Sequence, residues 1–487
     1  MNLQSLLTSL QDFEAEGALD LEITGISCNS RTIGKGFLFA ALPGQHFHGI
    51  RFLPDAARAG AVAVLTDQPV QTDLTQIRAS APRLALGHLS SAFYGNPSTQ
   101  LRLFGVTGTN GKTTTTFLLQ SILEHAGLRC GLLGTVVYGS GESVEMSTLT
   151  TPESVDLQRN LSTMVSKGCR ACAMEVSSHS LKQHRVAGCT FEVAIFTNLT
   201  QDHLDYHGTM EEYFQAKRML FDNRICTTKT AVVNLDDPYG VRIAQANSNC
   251  VTYGFLQSAD FQIREWSSSA RGSDIIINDA KMRTPLIGRY NTYNICGAFA
   301  AATVAGIPQD AIVSGIRGMK QVPGRLERIE HGQPFLILID YAHTEDAIRQ
   351  LLTTVRPYTT NRLIVLFGCG GERDRGKRPL MGRAAAELAN SVILTSDNPR
   401  SENPGQIAAE IRSGIEGRND DVVIILDRAE AIAHAVSSAG PGDTLVLAGK
   451  GHENYQVIGD QKIHFDEREV LRELLTTKTR RHEGLHS

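Results

Sequence analysis

The chain has 487 residues, with 47 basic and 51 acidic side chains and a formal charge of −4. At 41% hydrophobic and 20% charged residues, it is too apolar and too weakly charged for a disordered chain. It holds no run of about 18 apolar residues to cross a membrane and no basic excess to hold a nucleic acid. At roughly 150 residues per domain the length predicts about three domains. The N-terminus lacks a basic stretch followed by an apolar core, so no secretory signal is expected and a cytoplasmic location is. The nine scattered cysteines agree with reduced thiols. Cys169 and Cys172 have CxxC spacing, but no second pair completes a zinc site, and buried structural thiols are favoured over metal or redox chemistry.

Three α/β blocks are expected, at 1–87, 88–322 and 323–487. The first mixes short strands, Gly36–Leu42 and Ala61–Leu65, with a helix at Pro54–Ala59. A turn-rich joint follows at Tyr94–Ser98. The second opens with an apolar strand at Leu101–Val106, a polar loop, and a helix carrying Leu118/Ile122 and Leu119/Leu123 that ends near Gly127. Further strand–loop–helix units begin at Ala171–Val176 and Val193–Thr197, and alternation over 250–287 predicts a small antiparallel insert. The third block has five apolar runs, at 335–339, 363–367, 392–394, 422–426 and 445–448, each followed by helical spacing. That is the pattern of a parallel, doubly wound, Rossmann-like sheet. Ligands bind such sheets beyond the carboxyl ends of the strands, where Asp340–His343, Gly368–Asp374, Asp397–Arg400 and Gly449–Glu453 fall.

Gly108-Thr109-Asn110-Gly111-Lys112-Thr113-Thr114 lies between strand and helix, as a phosphate loop requires. Its glycines let backbone N–H groups face phosphate oxygens at a helix N-terminus. Lys112 would hold the outer phosphates and Thr113 would ligate Mg²⁺. The full P-loop pattern places its first Gly where Val106 stands, so a Gly/Thr turn capping a helix stays open as the alternative. Glu175, ending an apolar strand, is a carboxylate suited to a hard cation. Locally, His203 reads as a surface or hydrogen-bonded residue, Lys217 as an ordinary helix lysine, and Arg400 as a surface arginine after a turn.

Taken together, Gly105–Thr115, Met174–His179, Thr197–Leu199 with Asp202–His207, Asp340–His343 and Gly449–Glu453 resemble the Mur ligases, the ATP-dependent amide-forming enzymes of peptidoglycan synthesis. The match runs in order along nearly the whole chain. Asp397-Asn398-Pro399-Arg400 resembles that family's diaminopimelate recognition run. The resemblance implies that ATP phosphorylates the D-glutamyl carboxylate of UDP-MurNAc-L-Ala-D-Glu. The amine of meso-diaminopimelate then displaces phosphate. ATP and Mg²⁺ are the implied cofactors, and the chain is expected to act as a monomer without nucleic acid or membrane.

Carried over by position, Gly108 to Thr114, Asn291, Asn294, Arg325 and Asp340 belong to the nucleotide. Thr113, Glu175, His203 and Lys217 belong to metal, Lys217 as a carbamate. Lys112, Lys217 and His343 are the implied catalytic set. Cys28, Ser30, Gln45, His46 and Phe47 in the first block, with Thr150, Thr151, Ser177, Gln183 and Arg185 in the second, match positions for the UDP-sugar dipeptide. Arg373, Asp397, Asn398, Pro399, Arg400, Gly449 and Glu453 match positions for the amino acid. Arg400 can grip a distal carboxylate bidentately. The rivals are another ligase of the superfamily, such as folylpolyglutamate synthase, a P-loop NTPase switch or motor, and a nucleotide-sugar-binding regulator.

Overall fold

The structure, a computed structural model, describes residues 1–44, 47–140, 143–146, 149–256, 258–417 and 421–483. It divides into two compact units, 1–266 with 274–284 and 290–319, and 267–273 with 285–289 and 320–487. Among the described residues no helix is long and apolar enough to cross a membrane.

The first unit begins with a five-stranded sheet in the order Glu14–Glu16, Thr75–Arg78, Ala61–Thr66, Phe37–Ala40, Gly25–Ser27. All neighbours are parallel except the Glu14–Glu16 edge. Besides the expected helix, seen at Leu53–Arg58, helices form at Leu3–Leu7 and Pro82–Phe93. They bury Leu3, Leu6, Leu86 and Leu89 against Leu65 and Ile77. Position 87 lies inside the second of these helices, and Gly87 permits close approach there: a Cβ would meet that of Ala187 at 2.4 Å.

An eleven-stranded sheet follows. Arg102–Thr107 runs parallel between Thr190–Phe196 and Ala171–Glu175. These three strands are almost wholly buried, which suits a parallel sheet covered on both faces. Their carboxyl ends deliver residues 108–111, 175–178 and 197–198 to one edge. Segment 250–287 adds four strands to the far side, with Phe261–Ser269 parallel to Cys250–Gly254.

The second unit holds a six-stranded sheet in the order Glu327–Ile329, Leu336–Asp340, Thr444–Ala448, Leu363–Phe367, Ser391–Leu394, Val422–Ile424. Only the first of these is antiparallel to its neighbour. Side-chain caps start its helices: Thr344 accepts from Ala347 N and Asp427 from Glu430 N, each contributing about 1 kcal/mol. The four polar loops named from the sequence leave the carboxyl ends of these strands.

Candidate active site

The phosphate loop connects the strand Arg102–Thr107 to the helix Lys112–His125. Its glycines are required by shape. Gly108 sits at φ 152°, where a Cβ would lie 1.9 Å from Thr197 Oγ1, and Gly111 at φ 89°, where it would lie 2.2 Å from Asn294 Oδ1. The neighbouring strand end braces the loop. Thr109 N donates to Asn198 O at 2.9 Å, Asn110 N to Asn198 Oδ1 at 3.0 Å, and Thr197 Oγ1 to Asn110 O at 2.6 Å. Lys112 Nζ folds back onto the carbonyls of Gly108 and Thr109, at 2.9 and 2.8 Å. Thr114 is buried in the first turn of the helix. Asn294 Nδ2 donates to Asn291 Oδ1 at 3.1 Å, so that pair lies against the loop at Gly111.

Glu175 is 1% exposed. Its Oε1 accepts from Thr113 Oγ1 at 3.0 Å and Thr135 N at 2.8 Å, and its Oε2 from Thr135 Oγ1 at 3.0 Å. These donors are neutral. A hydroxyl and a carboxylate oxygen side by side are the donor type that a hard divalent cation takes. No three His, Cys, Asp or Glu side chains converge in a metal-binding group among the described residues.

Lys217, in the helix Met210–Arg218, is fully buried and donates from Nζ to Gly108 O at 2.8 Å. Burial pushes its pKa well below the ordinary lysine value, and the nearby Lys112 cation pushes it further. A neutral amine can react with CO₂, which a protonated one does poorly; its complete burial sets Lys217 apart from the ordinary helix lysine that its local sequence suggests. His203, at φ 53° before the short helix Leu204–His207, is 3.4 Å from Asp202 Oδ2. Burial lowers its pKa, against Asp202, and Lys112 and Lys217 also act on it. Its side chain is 45% exposed and close to the same two lysines.

The expected dipeptide residues of the central block form one chain of bonds. Thr151 Oγ1 donates to Glu175 O at 2.9 Å, and Ser177 N donates to Thr151 Oγ1 at 3.1 Å. Thr150 Oγ1 is 3.2 Å from Thr135 Oγ1. Arg185 donates to Thr151 O at 2.9 Å and to Gln183 Oε1, and pairs with Glu153 at 2.8 Å. Cys28 is half-buried, its thiol pushed up to about 11 by burial and by Glu153 and Asp156. Ser30 opens the turn Ser30–Thr32. Phe47 is 61% exposed with Arg51 4.9 Å over its ring. Gln45 and His46 lie outside the described residues.

In the second unit Asp340 is buried, accepting from Leu326 N at 2.7 Å and Ala342 N at 2.9 Å. Burial raises its pKa, and Arg325 opposes the rise. Arg325 lies 4.7 Å over the Tyr341 ring, and His343 Nδ1 is 2.8 Å from Tyr341 O. Asn398 Nδ2 donates to Glu453 Oε2 at 2.9 Å, which joins the two amino-acid loops. Gly449, at φ 105°, is required where its Cβ would meet Asp397 Oδ2 at 2.7 Å. Arg400, at φ 50°, donates to Gly371 O at 2.6 Å. Pro399 O packs on Gly371, and Arg373 is exposed on the same loop.

Family models match three consecutive parts of the chain: "Mur ligase family, catalytic domain" at 22–94, "Mur ligase middle domain" at 106–302 and "Mur ligase, glutamate ligase domain" at 324–451. The chain belongs to the Mur ligase family. Relatives named UDP-N-acetylmuramoyl-L-alanyl-D-glutamate–2,6-diaminopimelate ligase include one from Synechococcus elongatus, 46% identical over 97% of this chain and 98% of its own. One from Geobacter metallireducens is 43% identical over the same shares. A solved structure of that ligase, 34% identical, superposes with TM-score 0.71 over 98% of this chain and 99% of its own. A folylpolyglutamate synthase from Mycobacterium tuberculosis shares the fold at 17% identity and TM-score 0.60.

Several groups of this Mur ligase site escaped the sequence reading. Thr135 makes two bonds to Glu175, yet stands alone in a Gly/Thr/Val stretch without a pattern. Asn198 and Glu153 sit inside or next to named motifs, where adjacency was the available signal. Lys450, fully buried, bonds Asn398 Oδ1 at 3.3 Å and Glu453 Oε2 at 3.2 Å.

Proposed function

We propose that this Mur ligase joins meso-diaminopimelate to UDP-MurNAc-L-Ala-D-Glu at the expense of ATP, as a cytoplasmic monomer. The observation that carries the reading is the Asn398–Glu453 bond between the Asp397–Arg400 and Gly449–Glu453 loops. It makes one carboxylate- and amide-lined site with a guanidinium beside it, suited to a zwitterion that carries a second carboxylate. The family relationship at 43–46% identity over nearly the full length supports the same reading.

A carboxylate resists amide formation because oxide is a poor leaving group. Its oxygen attacks the terminal phosphorus of ATP, ADP departs, and the resulting acyl phosphate is attacked by the amine. That nitrogen loses a proton, the C–N bond forms, and phosphate leaves with the C–O bond electrons. Anions must meet in this chemistry, so positioning and charge neutralisation carry the rate. The N–H groups of 111–113 at the helix start and the Lys112 ammonium would bind the phosphates, in a loop whose Thr109 and Asn110 N–H groups are held by Asn198. Thr113 and Glu175 would hold Mg²⁺, with His203 and a carbamylated Lys217 as further ligands; Mg²⁺ would supply neutralisation of phosphate charge. Arg185, Gln183, Thr150, Thr151 and Ser177 would seat the dipeptide, with Cys28, Ser30 and Phe47 at its nucleotide end. In the second unit, Arg325, Asp340 and His343 are the residues proposed for the nucleotide, and Arg373, Asp397, Asn398, Arg400, Gly449 and Glu453 those that would hold the amino acid.

The test is phosphate release from ATP with each substrate omitted in turn. Release is expected only with both UDP-MurNAc-L-Ala-D-Glu and meso-diaminopimelate present. Brisk release without an amine would favour the NTPase reading.

A further inference from the structure

Outside every motif read from the sequence lies a fully buried ion pair, Arg428 with Glu467, whose side chains are both 0% exposed. Arg428 opens the helix Arg428–Ser438 and Glu467 opens the helix Glu467–Glu483. All three guanidinium nitrogens are used. Nε donates to Glu467 Oε1 at 2.9 Å, NH1 to Ser396 O at 3.2 Å, and NH2 to Ala448 O at 2.9 Å.

Those two carbonyls have a particular address. Ser396 immediately precedes Asp397, and Ala448 immediately precedes Gly449, so Arg428 grips both amino-acid loops at their roots. The strands that feed them, Ser391–Leu394 and Thr444–Ala448, are not neighbours: Leu363–Phe367 lies between them. No ladder hydrogen bond can therefore set the spacing of the two loops. One planar fork reaching past the intervening strand can, and a lysine, with a single nitrogen, cannot reproduce that geometry. Just beyond the grip the loops abut, with no room for a Cβ on Gly449 against Asp397, and are tied by the Asn398–Glu453 bond.

We propose that Arg428, held by Glu467, is a positioning residue for amino-acid recognition, fixing the distance between the Asp397–Arg400 and Gly449–Glu453 loops. It touches no substrate itself. The inference rests on the amino-acid site proposed above.

The test separates positioning from stability. A buried ion pair replaced by apolar side chains of similar volume commonly keeps the fold, whereas removal of one partner leaves an unpaired buried charge. Full-length wild type, Arg428→Lys and the double variant Arg428→Met/Glu467→Met are compared by calorimetry and by KM for meso-diaminopimelate, ATP and UDP-MurNAc-L-Ala-D-Glu. In both variants the KM for meso-diaminopimelate is expected to rise at least tenfold, on the order of one lost charge-assisted contact, with the other two KM values within twofold. A folded variant with all three KM values unchanged overturns the proposal. So does a uniform loss in kcat that merely follows a lowered Tm. If the apolar pair does not fold, Arg428→Lys, which keeps a cation opposite Glu467, decides alone. Failure of the functional reading is distinct: wild type itself then releases no phosphate in response to meso-diaminopimelate.

Discussion

Lys217 Nζ donates to the carbonyl of Gly108 at 2.8 Å from a fully buried position, so a helix lysine 109 residues away is built into the phosphate loop. Its amine is held toward neutrality by burial and by Lys112, the state that adds CO₂ to give a carbamate and a proton. Lys217→Arg keeps a long nitrogen donor but removes that chemistry, because a guanidinium stays protonated. We expect kcat to fall about 10²–10³-fold, the size of losing one preorganised electrostatic group. Wild type supplied with ¹³C-bicarbonate should show a carbamate carbon resonance that the variant lacks; an identical spectrum in both would refute the assignment.

Gly108→Ala tests the loop's shape. The residue stands at φ 152°, with Thr197 Oγ1 1.9 Å from the new Cβ. Strained backbone of this kind costs on the order of 1–3 kcal/mol. The variant should melt at lower temperature by calorimetry and lose ATP binding by titration calorimetry, while the second unit's amino-acid residues are untouched.

Glu175→Gln keeps the shape and the hydrogen bonding of one oxygen but removes the charge beside Thr113. The Mg²⁺ concentration for half-maximal activity should rise about 10–100-fold. An unchanged Mg²⁺ titration would remove Glu175 from the metal site.

Arg400→Ala should raise the KM for meso-diaminopimelate far more than that for ATP, because the lost guanidinium is the bidentate partner proposed for the distal carboxylate. An amino-acid panel makes the point sharper. Lysine, which lacks that carboxylate, should be used no worse by the variant than by the wild type. Equal loss for both amino acids would assign Arg400 to loop structure through its bond to Gly371 O.

His452 supplies a pH dependence. Burial lowers its pKa to about 3, with Arg325, Arg468 and Lys450 adding repulsion. The unfolded chain binds its proton near pH 6.5, so between about 6.5 and 3 the unfolded state holds more protons and stability falls as pH falls. The limiting slope for one group is about 1.4 kcal/mol per pH unit. His452→Asn should flatten this part of the denaturation midpoint profile, measured from pH 6.5 downward.

Much of the fold was legible because its strands are buried on both faces. Continuous runs such as Leu363–Phe367 and Thr444–Ala448 need no partner to be recognised, and glycines and polar residues mark where they stop. The helix Pro82–Phe93 was less visible, since its apolar face is set by what it covers. The phosphate loop, the Asp397–Arg400 run and the Gly449–Glu453 loop are contiguous, so their chemistry is written in adjacent letters. Thr135 and Arg428 carry no such mark: each acts on groups tens of residues distant, through contacts that only chain folding creates.

The sequence by itself determined the alternation of strand and helix, the phosphate loop and the family, because periodicity and contiguous motifs are local properties. Only the tertiary structure decided that Lys217 is buried against Gly108, that Glu175 has neutral partners at Thr113 and Thr135, and that Arg428 ties Ser396 to Ala448. Burial, charge balance and the spacing of non-neighbouring strands depend on which distant segments share an interior, and no single stretch of sequence specifies that.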